Sequence, residues 1–440
     1  MNCFLWLQKI VHRWSIISSA CYNFGRNLYW RVVCVIQRKI IHFSCLDSRA
    51  SRVLLYIYKL GFKQPHDLRI MPFQWMDQSI GHRKWLLHAG GNAMAYGPHY
   101  FDDIQAFAAV RIPDVYCHNF TNARISSTSS SVVLNDSEAI IERAVISGLD
   151  NFVYKAGHIV AHRSKTAIVQ LGDVVTIEKG IFLGGNGSFN YYHWMIEILP
   201  KLQFLSDLPE QFKKYPLLVS EYVEQIPAFK TTISIFAPGR ELISLKKNFS
   251  YSVGNLIYID SPSNLPFNLR KGEKFGLSYS LISGDSVRFV KNRIFARLKT
   301  DFKNSNHAKR LFFSRKCERR KYNKNDVLEC LAKFGFEEVF MEDISFEKQV
   351  ALMHNAELVV GPSGAVWTNL IFCRPGTKGL CWMAEEIGDF SAFSTIAHLV
   401  DVDLTYITYR SGVHSSGELY DKEYIVDVAL IERYLTVLIA

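Results

Sequence analysis

The sequence predicts an α/β protein, and two patterns lead to that class. From residue 286 onward, short apolar runs alternate regularly with amphipathic helical patterns. Upstream, residues 132–183 hold Val- and Ile-rich runs of strand length separated by Gly, Asp and Asn. Because strands that alternate with helices pair in parallel, we expect a doubly wound parallel sheet in the second half. Its ligands should bind at the carboxyl ends of the strands.

Length and composition indicate a globular chain of two or three domains. Of the 440 residues, 48% are hydrophobic and 21% are charged, which is enough apolar material for a large core. No apolar run reaches the roughly 18–20 residues that span a bilayer. Lys9 and Arg13 interrupt the first apolar stretch, which disfavours a secretory signal.

The nine cysteines are scattered, and none forms a C-x-x-C pair. This spacing predicts neither a disulfide framework nor a structural zinc site. A reducing cytoplasm is the compartment that such a cysteine pattern favours.

Residues 1–63 carry most of the net charge. They hold ten Lys or Arg and a single acid, Asp47, which accounts for +9 of the total of +10. Aromatic and apolar residues are interleaved with these cations, so we interpret the segment as basic amphipathic helices that dock on an anionic membrane surface. A plain helical subdomain and a basic nucleic-acid arm are the alternatives. The Trp and Tyr residues fit the membrane interface better, and we predict no nucleic-acid partner.

The remaining elements are predicted in chain order. Residues 64–130 give no clear pattern, and the serine run at 125–131 indicates a loop or boundary. Strands are predicted at YPLLVS, TTISIFA, NLIYIDSP, KRLFFSR, FEEVFMED, ELVVGPSG, TKGLCWMA and DLTYITYR. Helices are predicted at residues 286–299, at 323–335 with Gly335 as the stop, after an N-cap at Ser345, at AVWTNLIF, at FSTIAHLV and at 424–440.

The most informative stretch is FLGGNGSFNYYHWMIEILPKL, residues 182–202. A glycine-rich loop, with Gly185 and Gly187, follows a short apolar run and leads directly into a helical pattern through Asn190 and Tyr192. The loop lacks the third glycine of G-x-G-x-x-G, so it is not a dinucleotide fingerprint.

His193 and Glu197 lie four residues apart in that helical pattern, so their side chains share one face and can touch. A carboxylate beside an imidazole suits a general base that works near neutral pH. The alternative is a core helix with one satisfied histidine.

A basic cluster follows the strand KRLFFSR. It begins with Arg315 and continues through Arg320, just past the predicted strand end. Guanidinium groups bind oxyanions through two parallel hydrogen bonds, so this position predicts a phosphate site, with a solvated basic loop as the alternative.

The turn Gly361-Pro362-Ser363-Gly364-Ala365 joins a strand to a helix. Such a junction can offer backbone N–H groups to a diphosphate, so we assign Ser363, Gly364 and Ala365 to diphosphate binding. Asn369 lies one turn further along. An ordinary capped turn is the alternative. Asp401-Val402-Asp403 has the spacing of a metal-binding D-x-D, but we interpret it as structural.

Two separated blocks of this chain resemble glycosyltransferase family 61. NYYHWMIEILPKL is similar to the Asn-Tyr-Tyr-His-Trp-x-x-Glu helix of that family. LFFSR, Asn323 and the stretch from FEEVFMED to AVWTNLIF, which includes Gln349 and Asn369, resemble its second block. The resemblance covers roughly residues 130–415. One position departs from the family, which often has His where this chain has Ser363.

The resemblance implies an inverting enzyme that uses a nucleotide-sugar and needs no obligatory metal or other cofactor. It implies a GT-B-like body of two Rossmann-like halves, with the donor on the C-terminal half and the acceptor on the N-terminal half. We therefore divide the chain into a basic segment (1–63), an acceptor-side domain (64–280), a nucleotide-sugar-binding domain (281–415) and a closing helix (416–440).

The sequence thus predicts transfer of a sugar from a nucleotide-sugar to a hydroxyl of a capsular or lipopolysaccharide glycan, itself lipid-linked. His193 would be the base, backed by Glu197, and Arg315, Arg320 and the Ser363 turn would hold the donor. The protein would be cytoplasmic and peripheral on the inner face of a bacterial membrane. The alternatives are a non-catalytic nucleotide- or glycan-binding assembly factor and a transferase that uses another activated donor.

Overall fold

The structure is a computed structural model that describes residues 68–439 apart from 102, 143–151, 267, 270–272, 299–306, 317–318, 414–417 and 421. The predicted basic segment at 1–63 lies outside the described residues. The chain divides into two compact units, Met1–Ile70 and Met71–Ala440. Only residues 68–70 of the first unit are described, so the account below concerns the second.

Nineteen strands are assigned in the described residues. They are β1 (Leu68–Trp75), β2 (Arg83–His88), β3 (Asn92–Tyr96), β4 (His99–Tyr100), β5 (Phe107–Arg111), β6 (Val115–Ile125), β7 (Ser131–Leu134), β8 (Glu138–Ile141), β9 (Ile159–His162), β10 (Thr166–Gln170), β11 (Val174–Leu183), β12 (Leu217–Ser220), β13 (Leu242–Leu245), β14 (Ser250–Ile259), β15 (Arg310–Phe313), β16 (Glu337–Val339), β17 (Leu358–Pro362), β18 (Lys378–Ala384) and β19 (Asp403–Tyr409).

The α-helices of the described residues are α1 (Tyr191–His193), α2 (Tyr222–Gln225), α3 (Pro227–Phe236), α4 (Gly284–Arg297), α5 (Lys324–Lys333), α6 (Phe346–Asn355), α7 (Ala392–Leu399) and α8 (Val428–Ile439). Helix α1 continues as a π-helix, Trp194–Ile198, and then as a 3₁₀ helix, Leu199–Phe204. We call residues 191–204 the site helix. Another 3₁₀ helix, Ala365–Phe372, follows β17.

The larger sheet has a parallel part and an antiparallel part. Strands β13, β12, β11 and β14 lie side by side and pair in parallel. Beyond β14 the sheet continues through β6, β7 and β8, which pair antiparallel. Strand β1 then pairs in parallel with β8. The sheet is therefore mixed.

The smaller sheet has the order β16-β15-β17-β18-β19-β4, and each recorded pair is parallel. Helices α5, α6 and α7 and the 3₁₀ helix Ala365–Phe372 connect its strands, so the predicted α/β alternation of the second half is confirmed. The caps are also as predicted: the Ser345 side chain accepts a hydrogen bond from the Lys348 N–H, and Gly335 ends α5 with φ +70°.

One apolar core runs between the two sheets. It includes Leu183 and Val219 from the larger sheet and Phe313 and Val359 from the smaller one. Trp194, 1% exposed, lies in the same core, stacks on Phe229 and donates to the Thr232 hydroxyl at 2.8 Å. The site helix is therefore held by core packing on both sides.

One local prediction was wrong. TTISIFA was predicted as a strand, but it lies in α3, which begins at Pro227 and buries Phe229, Ile233 and Phe236 on one face. Its β-branched residues are outweighed by that helical spacing. The serine run was predicted as a loop or boundary, and it is a loop: it joins β6 to β7, which pair with each other, Ile125 with Val132.

His158 links stability to pH. It is 3% exposed, its Nε2 lies 2.9 Å from the Ser250 hydroxyl, and its Nδ1 has no hydrogen-bond partner in the described part of the chain. Burial, assisted by Arg124, lowers the pKa of His158 to about 4. Between pH 6.5 and 4 the folded state therefore binds fewer protons than the unfolded state, and stability falls as the pH falls.

We expect His158→Gln, which keeps a polar side chain that can hydrogen-bond to Ser250 but does not titrate, to reduce this loss of stability. Urea unfolding at pH 7.5 and at pH 5 gives the free energy of unfolding of both proteins at each pH. The difference in unfolding free energy between the two pH values should be about 2 kcal/mol smaller in the variant than in the wild type. An equal loss in both proteins would mean that His158 does not contribute.

Candidate active site

The glycine loop leaves the carboxyl end of β11 and turns sharply. Gly187 has φ +72°, and the Asn190 N–H donates to its carbonyl at 2.7 Å. Asn186 is held by the buried serine turn between β6 and β7, because its N–H donates to the Ser130 hydroxyl at 3.0 Å. The serine run, predicted from the sequence as a loop or boundary, thus supports the glycine loop.

Asn190 begins the site helix. Its side-chain oxygen accepts from the Tyr192 N–H at 2.9 Å, which satisfies a donor of the first turn. The helix then widens into the π-turn Trp194–Ile198. Such insertions within helices occur frequently at functional sites.

His193, the residue before that π-turn, and Glu197 within it form a buried pair. The His193 Nδ1 lies 2.6 Å from the Glu197 Oε2, and the residues are 6% and 9% exposed. The other carboxylate oxygen accepts from the Leu265 N–H at 2.5 Å. An ionised carboxylate can accept a hydrogen bond but cannot donate one. With Glu197 ionised, the His193 Nδ1 therefore carries the hydrogen and donates it, and Nε2 is the basic nitrogen of the ring.

Gly187 packs directly on the imidazole. A Cβ added there would lie 2.4 Å from the His193 Cδ2 and 2.8 Å from its Cγ. Tyr192, also predicted as a site residue, is buried, and its ring stands edge-on to His193 at 5.4 Å. The ring of His193 is therefore fixed by the glycine, the tyrosine and Glu197 together.

The predicted phosphate residues meet at the ends of β15 and β17. Arg315 donates from Nη2 to the Ser363 carbonyl, and a Cβ on Gly364 would lie 2.8 Å from that nitrogen. The predicted arginine and turn are therefore in contact. The Ser363 N–H, however, donates to the Trp382 carbonyl at 2.8 Å, so it is engaged within the sheet. Ala365 begins the adjoining 3₁₀ helix and is half-buried.

Two other predicted donor residues make contacts within the protein. Asn369 is buried, and its Oδ1 accepts from the Tyr191 hydroxyl at 2.6 Å. It thereby joins the 3₁₀ helix Ala365–Phe372 to the site helix. Arg320 has φ +54° and donates from Nε to the Leu419 carbonyl at 3.1 Å. Both contacts are within the protein, so donor binding by Asn369 and Arg320 stays a prediction.

Both candidate regions lie at points where the strand order reverses. Strand β15 is followed by β16 on one side and by β17 on the other, so the crevice between β15 and β17 is a switch point. Strand β11 is likewise followed by β12 on one side, while β14 lies on its other side. Ligands of α/β sheets bind at such crevices.

Sequence reasoning missed a second buried ion pair. The Lys201 Nζ lies 3.6 Å from the Glu142 Oε2, and both residues are buried. Burial raises the pKa of the Glu142 carboxyl, and the Lys201 ammonium opposes that rise. Lys201 lies four residues after Glu197, and this helical spacing is a local signal that could have drawn attention to it. Glu142 is distant in sequence and carries no local signal.

A cavity lies beneath the glycine loop and is shared by these groups. Its lining residues are Ser130, Glu142, Tyr154, Gly184, Gly185, Asn186, Glu197, Ile198, Lys201, Ser261, Asn264 and Leu265. The Tyr154 hydroxyl has no hydrogen-bond partner among residues that the structure describes. Gly185, which was predicted as a site residue, is among the residues that line this cavity.

Three further observations bear on the kind of site. In the described part of the chain, no cluster of three or more His, Cys, Asp or Glu is arranged to hold a metal ion. The four described cysteines, Cys117, Cys330, Cys373 and Cys381, are free and buried. No described helix is both long enough and apolar enough to cross a bilayer.

An α/β fold with candidate loops at two switch points and a buried imidazole–carboxylate pair has the parts of an enzyme active site, but it does not by itself name a reaction. Residues 191–380, from the start of the site helix into β18, match the family model described as Glycosyltransferase 61. The chain thus carries a glycosyltransferase family 61 domain, and the expected family is confirmed. No match to a curated protein is found.

The packing of Gly187 on His193 predicts a specific defect. Gly187→Ala should lower activity at least tenfold, because the methyl group displaces the imidazole. Both this change and Gly335→Ala place alanine at φ near +70°, and each should cost about 1 kcal/mol of stability.

Gly335→Ala is the matched control, because a Cβ there meets nothing within 4 Å. Thermal unfolding of the two variants measures the backbone strain that they share. Turnover measures the displacement of the His193 ring, which only Gly187→Ala should cause. Equal activities would show that the His193 ring does not depend on the glycine.

Proposed function

We propose that this glycosyltransferase moves a sugar, with inversion, from a nucleotide-sugar to a hydroxyl of a capsular or lipopolysaccharide glycan. The buried hydrogen bond between His193 and Glu197, at the switch point beside β11, is the observation that carries the proposal. It supplies a base of fixed orientation at an edge of the sheet where ligands bind.

In this proposal the acceptor hydroxyl gives its proton to the His193 Nε2. Its oxygen bonds to the anomeric carbon as the bond from that carbon to the diphosphate breaks, and the diphosphate leaves with the electron pair. Glu197 stabilises the imidazolium that forms. The glycine loop, with Gly185, Gly187 and Asn190, would shape the acceptor side.

The donor side of the proposal is the crevice between β15 and β17. Arg315 already lies against the Ser363-Gly364 turn, and its guanidinium can stabilise charge on a leaving diphosphate. Two sheets that each carry a switch point support a GT-B-like division into an acceptor half and a donor half. That division remains part of the proposal.

His193→Ala should lower turnover by roughly 10²–10⁴-fold, the usual effect of removing a general base. Nucleotide binding should be preserved, because the donor residues follow strands of the other sheet. Turnover and calorimetric binding of UDP, GDP and CMP, free and sugar-linked, measure the two effects. Equal losses of both would make His193 structural, and full turnover would exclude it as the base.

Arg315→Gln should weaken nucleotide binding by about 10- to 100-fold, since it removes a charge-assisted contact with phosphate. Arg288→Gln is a matched control, because Arg288 is exposed on α4 and pairs with Asp285. Unchanged binding in a folded Arg315→Gln protein would contradict the donor assignment. Binding without any turnover in the wild type would favour an assembly factor instead.

The membrane location is a further part of the proposal, and it rests on the charge of residues 1–63. We expect the full chain to sediment with vesicles that contain phosphatidylserine and not with pure phosphatidylcholine vesicles. The binding should weaken as salt is added. Equal binding to both vesicle types would contradict electrostatic docking.

A further inference from the structure

The ion pair of Glu142 and Lys201 lies next to the proposed base, although the reaction described above does not use it. Lys201 is 2% exposed and Glu142 is 8% exposed. The Lys201 ammonium also lies over the Tyr258 ring, 4.7 Å from its centre, and the Tyr258 hydroxyl donates to Glu142 at 2.7 Å. Full charges persist at such depth only when they are compensated and hydrogen-bonded.

Ser261 connects this pair to Glu197. Its N–H donates to the Glu142 Oε1, and its hydroxyl lies 2.8 Å from the Glu197 main-chain carbonyl and 2.5 Å from the Ser263 carbonyl, two acceptors that share its one hydrogen. Glu142, Lys201 and Glu197 also line the one cavity beneath the glycine loop. The two ion pairs therefore belong to one continuous polar cluster.

The charges of this cluster do not balance until His193 is protonated. Glu142 and Glu197 supply two negative charges, and Lys201 supplies one positive charge. With a neutral imidazole the four groups carry a net charge of −1, and with an imidazolium they carry none. Charges interact more strongly in such a buried setting than in water.

We propose that Glu142 and Lys201 are positioning residues of the transfer reaction, whose balanced charges set how readily His193 accepts the proton of the acceptor hydroxyl. They act through Glu197 and touch no reacting atom. The inference rests on the proposed function, because it takes His193 as the base.

Other ionisable and polar groups lie near the pair or on the elements packed against the site helix, and they are the same in every variant below. From the elements packed around the site helix they are Asp260 with His118, Tyr154, Tyr258, Tyr192, the neutral Asn369, His398 on α7, and Asp285 with Arg288 on the exposed face of α4. Their contribution cancels when variants are compared with the wild type.

Glu142→Gln leaves the Lys201 ammonium unbalanced beside Glu197 and His193. The acid limb of the pH profile of kcat/KM should move to lower pH by about one unit. The amide keeps the size of the carboxyl and can still accept from Ser261. Adding Lys201→Met removes the unbalanced cation, so the double variant should return the limb to its wild-type position.

A merely structural role predicts the opposite pattern, in which both variants lose kcat and neither moves the limb. An unmoved limb in Glu142→Gln, or a double variant that fails to restore it, overturns the proposal. Stability is not the readout, since replacing both partners of a buried pair is often close to neutral.

The ¹³Cε1 resonance of His193 in the full chain gives a readout without turnover, and His193→Gln assigns it. Its titration midpoint should be lower in Glu142→Gln than in the wild type, and it should return to the wild-type value in the double variant. If His193→Ala keeps full activity while the midpoint still moves, the proposed function fails and the charge coupling stands. If His193→Ala is inactive and the midpoint does not move, the coupling alone fails.

Discussion

The hydrogen bond between the His193 Nδ1 and the Glu197 Oε2 is the contact on which the rest of the site depends. It requires two polar side chains to be buried on one helix face, which is costly unless every oxygen and nitrogen has a defined partner. The structure supplies partners for the carboxylate, since Leu265 donates to its second oxygen, and Gly187 leaves room for the ring. The glycine loop, the site helix and the segment after β14 are thus parts of one arrangement.

Both sheets place their loops by the same rule. In a parallel sheet the carboxyl ends of neighbouring strands open on one edge, and only where the strand order reverses do adjacent loops diverge and leave a crevice. The loop after β11 and the loops after β15 and β17 occupy such positions. Strand order therefore explains why the imidazole pair follows one sheet while Arg315 and the Ser363 turn follow the other.

The sequence predicted correctly the features that depend on residues close together in the chain. Alternating helices and strands, the caps at Ser345 and Gly335, and the spacing of His193 and Glu197 are all present. Features set by distant contacts were missed or wrong. Glu142 meets Lys201 across 59 residues of sequence, the serine turn is buried by its contact with the glycine loop, and TTISIFA is helical because it packs on the core. No pattern within a short window contains that information.

The contact between Tyr191 and Asn369 decides how the two halves of the proposed reaction can cooperate. A base on one sheet and a phosphate-binding arginine on the other are useful only at a fixed separation, because transfer requires the acceptor oxygen and the anomeric carbon to be aligned. Tyr191 begins the helix that carries His193, and Asn369 lies in the helix that follows the Ser363 turn. Their 2.6 Å hydrogen bond is partly buried beside the shared core, where it ties the two helices together between the crevices. Asn369 can therefore serve the donor side through geometry, without touching the donor.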